Sequence, residues 1–400
     1  MAETPKPLDG VRVLDASSFI AAPFVASILG EFGAEVIKVE NPKGGDPWRR
    51  FGTPTAAPDQ SLAWLSEARN KQSVTLNLRE PRGADLFKRL VADADVVCEN
   101  FRPGTMEKWG LGFADLQTVN RGIVMVRVSG YGQDGPYKDR PGFARIGHAV
   151  GGLTYLSGLP GEIPVTPGST SLGDYITGLY GAVGALVALR HRDATGVGQV
   201  VDMALYESVF RVLDELVPRY AMTGHIREPE GTGTVNACPH GHFATSDGQY
   251  MAIACTTDKM FERLTNAMQR PDLWDAYSDQ ATRLASRDAV LAEVNAWTES
   301  LTRDEVMQRC IDADVPSGPI NSIADIFADP HFAAREDMVT VHHPVAGDVV
   351  VPNVFPKLSA TPGAVETLGP ALGEHNASIY GERLGLSDAE MDELRDAGII

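Results

Sequence analysis

The alternation of apolar and polar positions divides the first third of the chain into strands and helices in regular order. Val11–Asp15 is a short apolar run, Pro23–Phe32 carries apolar residues at helical spacing, and the stretch from Ala34 to Glu40 is strand-like again. Val74–Leu78 reads as a further strand, Pro81–Asp93 as a helix with proline in its first turn, and Asp95–Cys98 and Ile123–Ser129 as two more strands. Alternation of this kind predicts a mostly parallel sheet covered by helices on both faces, a doubly wound α/β arrangement.

Residues 137–172 are rich in Gly, Pro, Ser and Thr and read as loops lining a site. Apolar residues at helical spacing follow from Asp174 to Arg192, then a Thr195-Gly-Val-Gly198 turn, a strand at Gln199–Met203 and a helix from Leu205 to Thr223. Residues 224–233 turn polar and glycine-rich, as a linker would. The organisation expected is a large α/β domain over 1–223, a linker over 224–233, a small α+β domain over 234–320 and a C-terminal segment over 321–400. Within the small domain, strands are expected at Tyr250–Cys255 and helices at Lys259–Met268, Arg287–Ser300 and Arg303–Ala313. A terminal helix opens at Ser387, where Ser-Asp-Ala-Glu matches a capping box.

With 400 residues and 43% hydrophobic content the chain can bury a large core, which excludes a disordered or fibrous protein. A formal charge of -18 argues against a nucleic-acid partner, because phosphate binding needs clustered lysine and arginine. The distribution is informative: residues 1–145 hold 19 Lys and Arg against 18 Asp and Glu, and the remainder 16 against 35. An acidic enzyme holding an anionic ligand would keep its cations local, which points to the first 145 residues, although ordinary solvated surface gives the same count. The start Met-Ala-Glu-Thr-Pro-Lys-Pro has no basic stretch leading into an apolar one, and no run of 18 apolar residues occurs. A soluble, cytoplasmic protein without a membrane partner is expected. Cys98, Cys238, Cys255 and Cys310 lie far apart with neither CxxC spacing nor a disulfide framework, and read as buried free thiols.

The first strand–helix–strand unit ends on Glu40 and invites a dinucleotide-binding reading. The intervening turn is Ser17-Ser-Phe-Ile-Ala-Ala-Pro23, without the glycines that let backbone amides approach a pyrophosphate. His240 and His242 in Cys238-Pro-His-Gly-His have no acidic or cysteine cluster to complete a metal site, so no metal is expected. Ser171-Leu-Gly-Asp174 precedes the long apolar helix and has two readings. Asp174 is either the third-residue carboxylate of a capping box or an ionised carboxylate, held at a helix N-terminus, that attacks an acyl group. Spacing leaves both open. Gly178, Gly181 and Gly184 in the same helix are costly to helix propensity and point to close approach by another backbone or a ligand.

Several segments, in order and at characteristic intervals, resemble the family III CoA-transferases of the formyl-CoA transferase and CaiB/BaiF type, relatives of α-methylacyl-CoA racemase. They are Pro7-Leu-Asp-Gly-Val-Arg-Val-Leu-Asp15, Phe32-Gly-Ala-Glu-Val-Ile-Lys-Val-Glu40, Gly45-Asp46, Asn70-Lys71, Val74-Thr-Leu-Asn-Leu78, Glu99-Asn-Phe-Arg-Pro-Gly104, Gly130-Tyr-Gly-Gln-Asp-Gly-Pro136, Gly173-Asp174 and Thr195-Gly-Val-Gly-Gln199. The resemblance runs nearly end to end. It implies CoA transfer from an acyl-CoA, with succinyl-CoA as the expected donor, to a small carboxylic acid, expected to be a C4 or C5 dicarboxylate. Asp174 would form a mixed anhydride and then an aspartyl-CoA thioester. It implies CoA contacts on Asn77, Arg79, Asn100, Phe101 and Arg102, with Arg140 as a phosphate partner, and no permanently bound cofactor, coenzyme A entering as the substrate thioester. It also implies an interlocked homodimer whose large domain is built from both chain ends.

Departures from the family pattern matter. Ile20 stands where the oxalate-using formyl-CoA transferase has a polar amide, which argues against oxalate as acceptor. The glycine-run loop of that enzyme is reduced here to Gly231-Thr-Gly233 through Gly241. The alternative activity is α-methylacyl-CoA racemisation with Asp174 as acid/base. Racemases carry a histidine where this chain has Gly142-Phe143-Ala144, and His148 lies further on.

Overall fold

Short runs of valine, isoleucine and leucine can serve as strands buried on both faces when helices cover each side. In chain order the elements are β1 (Arg12–Asp15), α1 (Ala21–Glu31), β2 (Glu35–Glu40), α2 (Leu62–Glu67), β3 (Lys71–Thr75), α3 (Pro81–Val91), β4 (Val96–Glu99), α4 (Thr105–Lys108), α5 (Phe113–Val119), β5 (Val124–Ser129), α6 (Ala144–Val150), α7 (Leu172–Thr195), β6 (Val200–Ala204), α8 (Leu205–Phe210) and α9 (Leu216–Thr223). The computed structural model describes residues 5–168 and 170–400; the first four residues, on which the reading of the chain's start partly rests, and Ser169 of the glycine-rich stretch lie outside the described residues.

The six strands form one parallel sheet in the order β3-β2-β1-β4-β5-β6. Successive side chains serve opposite cores. Val13, Val96, Val124 and Val126 pack with Val25 and Leu29 of α1 and Ala185 and Leu189 of α7. Leu14, Val97 and Met125 pack with Phe87 and Leu90 of α3 and Leu116 of α5. The period of two therefore shows as continuous apolar runs, because both faces are covered. The glycines of α7 allow close approach of another element: a Cβ at Gly181 would lie 2.6 Å from Val25 of α1, and one at Gly184 2.6 Å from Val201 of β6.

Two compact units result. The first comprises residues through Thr154, Thr166–His225 and Ala333–Ile400; the second comprises Tyr155–Val165 and Ile226–Phe332. The boundaries differ from those expected. The chain rejoins the first unit at Ala333 rather than near 321, and Tyr155–Val165 belongs to the second unit, where the Gly158 carbonyl accepts from Gly231 N–H at 2.9 Å and Tyr155 Oη pairs with Glu228 at 2.9 Å. The returning C-terminal segment covers the β3 edge, since Tyr380 Oη donates to the Thr75 carbonyl at 2.9 Å and Asn77 N–H to the Ile399 carbonyl at 2.7 Å. An open edge would otherwise expose unpaired backbone groups.

In the second unit β7 (His240–Ala244), β8 (Tyr250–Ala254) and β9 (Ser317–Pro319) form an antiparallel sheet, packed with helices such as α10 (Asp258–Met268) around Phe243, Met251, Ile253 and Phe261. His240 and His242 are ladder residues of β7, opposite Ala254 and Ala252 of β8. All four cysteines are buried free thiols.

Three local expectations need correction. The third strand lies at Lys71–Thr75, three residues before the expected Val74–Leu78, because Val36 through Glu40 pair with Lys71 through Thr75. Leu76 and Leu78 are buried just beyond the register, and Leu76 N–H still donates to the Glu40 carbonyl at 2.6 Å. The presumed loop over 137–172 contains α6. The helix expected from Leu205 to Thr223 breaks between α8 and α9, with Asp214 in the left-handed region at φ 43° and Pro218 unable to donate in the first turn of α9.

Candidate functional site

The sheet changes direction of growth between β1 and β4, so the loops leaving their C-terminal ends part and a crevice opens between them. Ser17–Ile20 leaves β1 and Asn100–Pro103 leaves β4. Asn100 ties the two: its Oδ1 accepts from Ser18 N–H at 2.9 Å and its Nδ2 donates to the Ser18 carbonyl at 2.7 Å. Phe101 N–H donates to Glu99 Oε2 at 2.7 Å. Burial pushes the Glu99 carboxyl up to about 7, against the opposing pull of the Arg127 guanidinium 2.7 Å away.

The first loop is held under backbone strain. Phe19 has φ 63°, which costs free energy for a residue with a Cβ and persists only where the surroundings over-determine it. A buried ion network supplies that constraint. Lys38, from the centre of β2, pairs with Asp46 at 3.0 Å and Asp15 at 3.5 Å and donates to the Ser17 carbonyl. Lys71 meets Asp15 at 2.9 Å, and Asp46 Oδ1 accepts from Phe19 N–H at 3.0 Å. Burial would raise the Asp15 carboxyl, but the two ammonium groups outweigh it and hold Asp15 down to about 2.

These loops wall a cavity of about 250 Å³ reached by Asn100, Phe101, Arg102, Lys138, Arg140 and Asp174. Asp174 enters from the first turn of α7. Ser171 occupies the N-cap position without a side-chain hydrogen bond, so the capping box that spacing allowed is not formed. Asp174 N–H donates to the Ser171 carbonyl at 2.9 Å, while its carboxyl has no hydrogen-bond partner among the described residues. Burial alone pushes that carboxyl up to about 7. The expectation of a carboxylate kept ionised by the helix N-terminus is thereby corrected: loss of water outweighs the favourable dipole of the first turn.

Five of the seven residues implied by resemblance thus share one cavity. Asn77 and Arg79 line a neighbouring cavity of about 190 Å³, and Ser18 and Phe101 belong to the walls of both. Arg79, Arg102 and Arg140 are exposed, and the Arg140 guanidinium lies over the Tyr137 ring at 3.5 Å. Phe101 packs edge-on against Trp109 at 5.0 Å. Ile20 contributes an apolar wall to the Asp174 cavity. Sequence reasoning missed Lys138, an exposed cation in a polar loop with no distinguishing spacing. It also missed the network beneath Ser17–Ile20, although a signal existed: Lys38 interrupts the apolar run of β2, and a lysine at a buried strand position requires acidic partners.

A switch-point cavity lined by three cationic side chains and holding one half-buried carboxyl suits an anionic substrate that reacts with an acid. The whole-chain comparisons agree. The succinyl-CoA–L-malate CoA-transferase alpha subunit of Chloroflexus aurantiacus is 57% identical over 396 residues, covering 98% of this chain and 92% of that one. The succinyl-CoA–D-citramalate CoA-transferase of the same organism is 43% identical over 401 residues, covering 99% and 98%. Among solved structures, a CAIB/BAIF family protein from Brucella suis superposes with a TM-score of 0.85 at 33% identity, covering 95% of this chain and 100% of that one. Residues 8–376 match the profile of CoA-transferase family III, and with relatives this similar over nearly the full length the chain belongs to that family of CoA-transferases.

Proposed function

We propose that this chain moves CoA from succinyl-CoA to a C4 or C5 dicarboxylic acid such as malate or citramalate, with Asp174 as the covalent relay. The observation that carries the reading is the half-buried Asp174 carboxyl, without a hydrogen-bond partner among the described residues, in a cavity with Arg102, Lys138 and Arg140. A carboxylate deprived of hydrogen bonds is more basic and therefore a stronger nucleophile once ionised. Its oxygen attacks the thioester carbonyl of the donor; the C–S bond breaks and CoA leaves as the thiolate, giving a mixed anhydride. The thiolate attacks the Asp174 carbonyl carbon, expelling the donor acid and leaving aspartyl-CoA. The acceptor carboxylate then attacks that thioester, and the released thiolate takes the acceptor's acyl carbon, returning Asp174 as a free carboxylate. No external acid, base or redox partner is needed for balance.

Water must be kept from both intermediates, and the apolar walls supplied by Ile20, Phe19 and Phe143 favour that. The exposed arginines and Lys138 suit the phosphates of CoA and the carboxylates of both acids. Racemisation at the carbon beside the thioester would need a second acid/base facing Asp174. His148 does not offer one, because its Nε2 already accepts from Gly173 N–H at 2.7 Å.

A homodimer belongs to the same proposal. Leu179, Val183 and Val187 form an outward stripe on α7, more than half exposed, and α9 has no buried residue. Apolar faces of this extent call for a partner surface. Sedimentation of the purified chain is expected to show a dimer; a stable 42.9 kDa monomer contradicts it. The covalent step is tested by adding hydroxylamine or borohydride during turnover and mapping peptides by mass: modification is expected at Asp174, and labelling elsewhere overturns the assignment.

A further inference from the structure

The first amides of an α-helix have no partner within the helix and need one from outside. In α7 the usual source is missing, since the Ser171 side chain at the N-cap position accepts no hydrogen bond from the amides of the first turn. The Gly173 amide, immediately before Asp174, is instead taken up by another helix: it donates to Nε2 of His148 in α6 at 2.7 Å. His148 is only 1% exposed. Its ring packs so closely on the Gly173 backbone that a Cβ there would stand 3.0 Å from both Cδ2 and Nε2, which is why glycine precedes the aspartate. Behind it α6 is seated on α8, a Cβ at Gly147 falling 3.1 Å from Leu205. An accepting Nε2 carries a lone pair, so the ring is the neutral Nδ1–H tautomer, assigned from this hydrogen bond. Burial first, and the Arg145 cation second, hold the imidazole below its ordinary value, in the same direction.

We propose that His148 is a positioning residue for the transfer reaction: as a neutral acceptor it clamps the Gly173 amide and fixes the first turn of α7, which aims the Asp174 carboxylate into the cavity. This rests on the reading of Asp174 as the nucleophile. His148 lines neither of the two cavities described, so its loss is expected to act on turnover. A misplacement of about 1 Å at a nucleophile can cost about 100-fold in rate.

The test uses the full chain and exchange of label from free succinate into succinyl-CoA, which needs no second acid. Three variants separate the possibilities. His148→Gln retains an acceptor oxygen and is expected to stay within several-fold of the unaltered enzyme. His148→Leu is expected to lose about 100-fold in kcat with KM for succinyl-CoA unchanged within about twofold. Asp174→Asn is expected to abolish exchange. Unaltered kcat in His148→Leu, or equal loss in the Gln and Leu variants, overturns the clamp while leaving the nucleophile intact. Exchange that survives in Asp174→Asn overturns the nucleophile instead. Hydrogen exchange of the unaltered protein, resolved to Gly173 by fragmentation, provides an arm independent of variant folding: protection is expected, and exchange at the rate of an open loop overturns the proposal.

Discussion

Replacing Asp174 by Asn should abolish transfer and, above neutral pH, make the protein more stable. The carboxyl moves from its ordinary 3.8 to about 7 on folding, because partial burial removes much of its water and no cation or hydrogen bond among the described residues compensates. The folded state therefore binds the proton more tightly than the unfolded state does. Below about pH 4 both states are protonated and there is no difference. Between pH 4 and 7 the unfolded chain ionises first, so stability falls as pH rises; above about 7 the loss is complete. Three pH units correspond to about 4 kcal/mol, an upper figure because water in the cavity screens part of the charge. Asparagine is neutral throughout and nearly isosteric. Urea unfolding at fixed protein concentration, repeated from pH 4 to 8, should therefore show the Asn variant gaining on the unaltered protein by up to ~4 kcal/mol as pH rises. In parallel, kcat/KM of the unaltered enzyme should climb with pH and level off above about 7, as the nucleophile ionises. A stability difference independent of pH would refute the argument, since it would mean that the Asp174 carboxyl is as well solvated in the folded protein as in the unfolded chain.

Arg79→Ala and Arg102→Ala should each raise KM for acyl-CoA more than they lower kcat, because exposed guanidinium groups at the cavities suit phosphate recognition; steady-state kinetics with succinyl-CoA decides it. Lys38→Met leaves Asp15 and Asp46 buried beside one fewer cation and should cost about 3–5 kcal/mol of stability, read by chemical denaturation at pH 7. Gly181→Ala should destabilise by about 1–3 kcal/mol even though alanine favours helix, because the added methyl would lie 2.6 Å from Val25; thermal melting above that of the unaltered protein contradicts the packing argument.

The comparison with CoA-transferase family III rests on residues legible in order along the chain, yet their roles separate only in three dimensions. Asn100 and Arg102 stand two positions apart in one motif. Asn100 spends its amide on the backbone of Ser18, whereas Arg102 is exposed at the cavity. Asn77 and Arg79 likewise sit by a separate, adjoining cavity, a distinction that no motif carries.

Apolar periodicity determined the alternation of strands and helices, and with it a parallel sheet buried on both faces, because each strand must be apolar wherever helices cover it. The glycines of α7 marked a close approach, and Ser387 marked a helix start, which the Ser387–Glu390 capping box bears out. Local sequence contains such information because caps, turns and periodicity act over a few residues. Only the tertiary structure decided the strand order, the return of the chain at Ala333, and the break between α8 and α9. It alone decided that Ser171-Leu-Gly-Asp174 is not a capping box and that His148, 25 residues earlier, holds the Gly173 amide instead. The state of Asp174 was beyond the sequence for the same reason: a carboxyl's affinity for its proton depends on how much water and charge surround it, and its surroundings come from β1, β4, β5 and the loops that follow them.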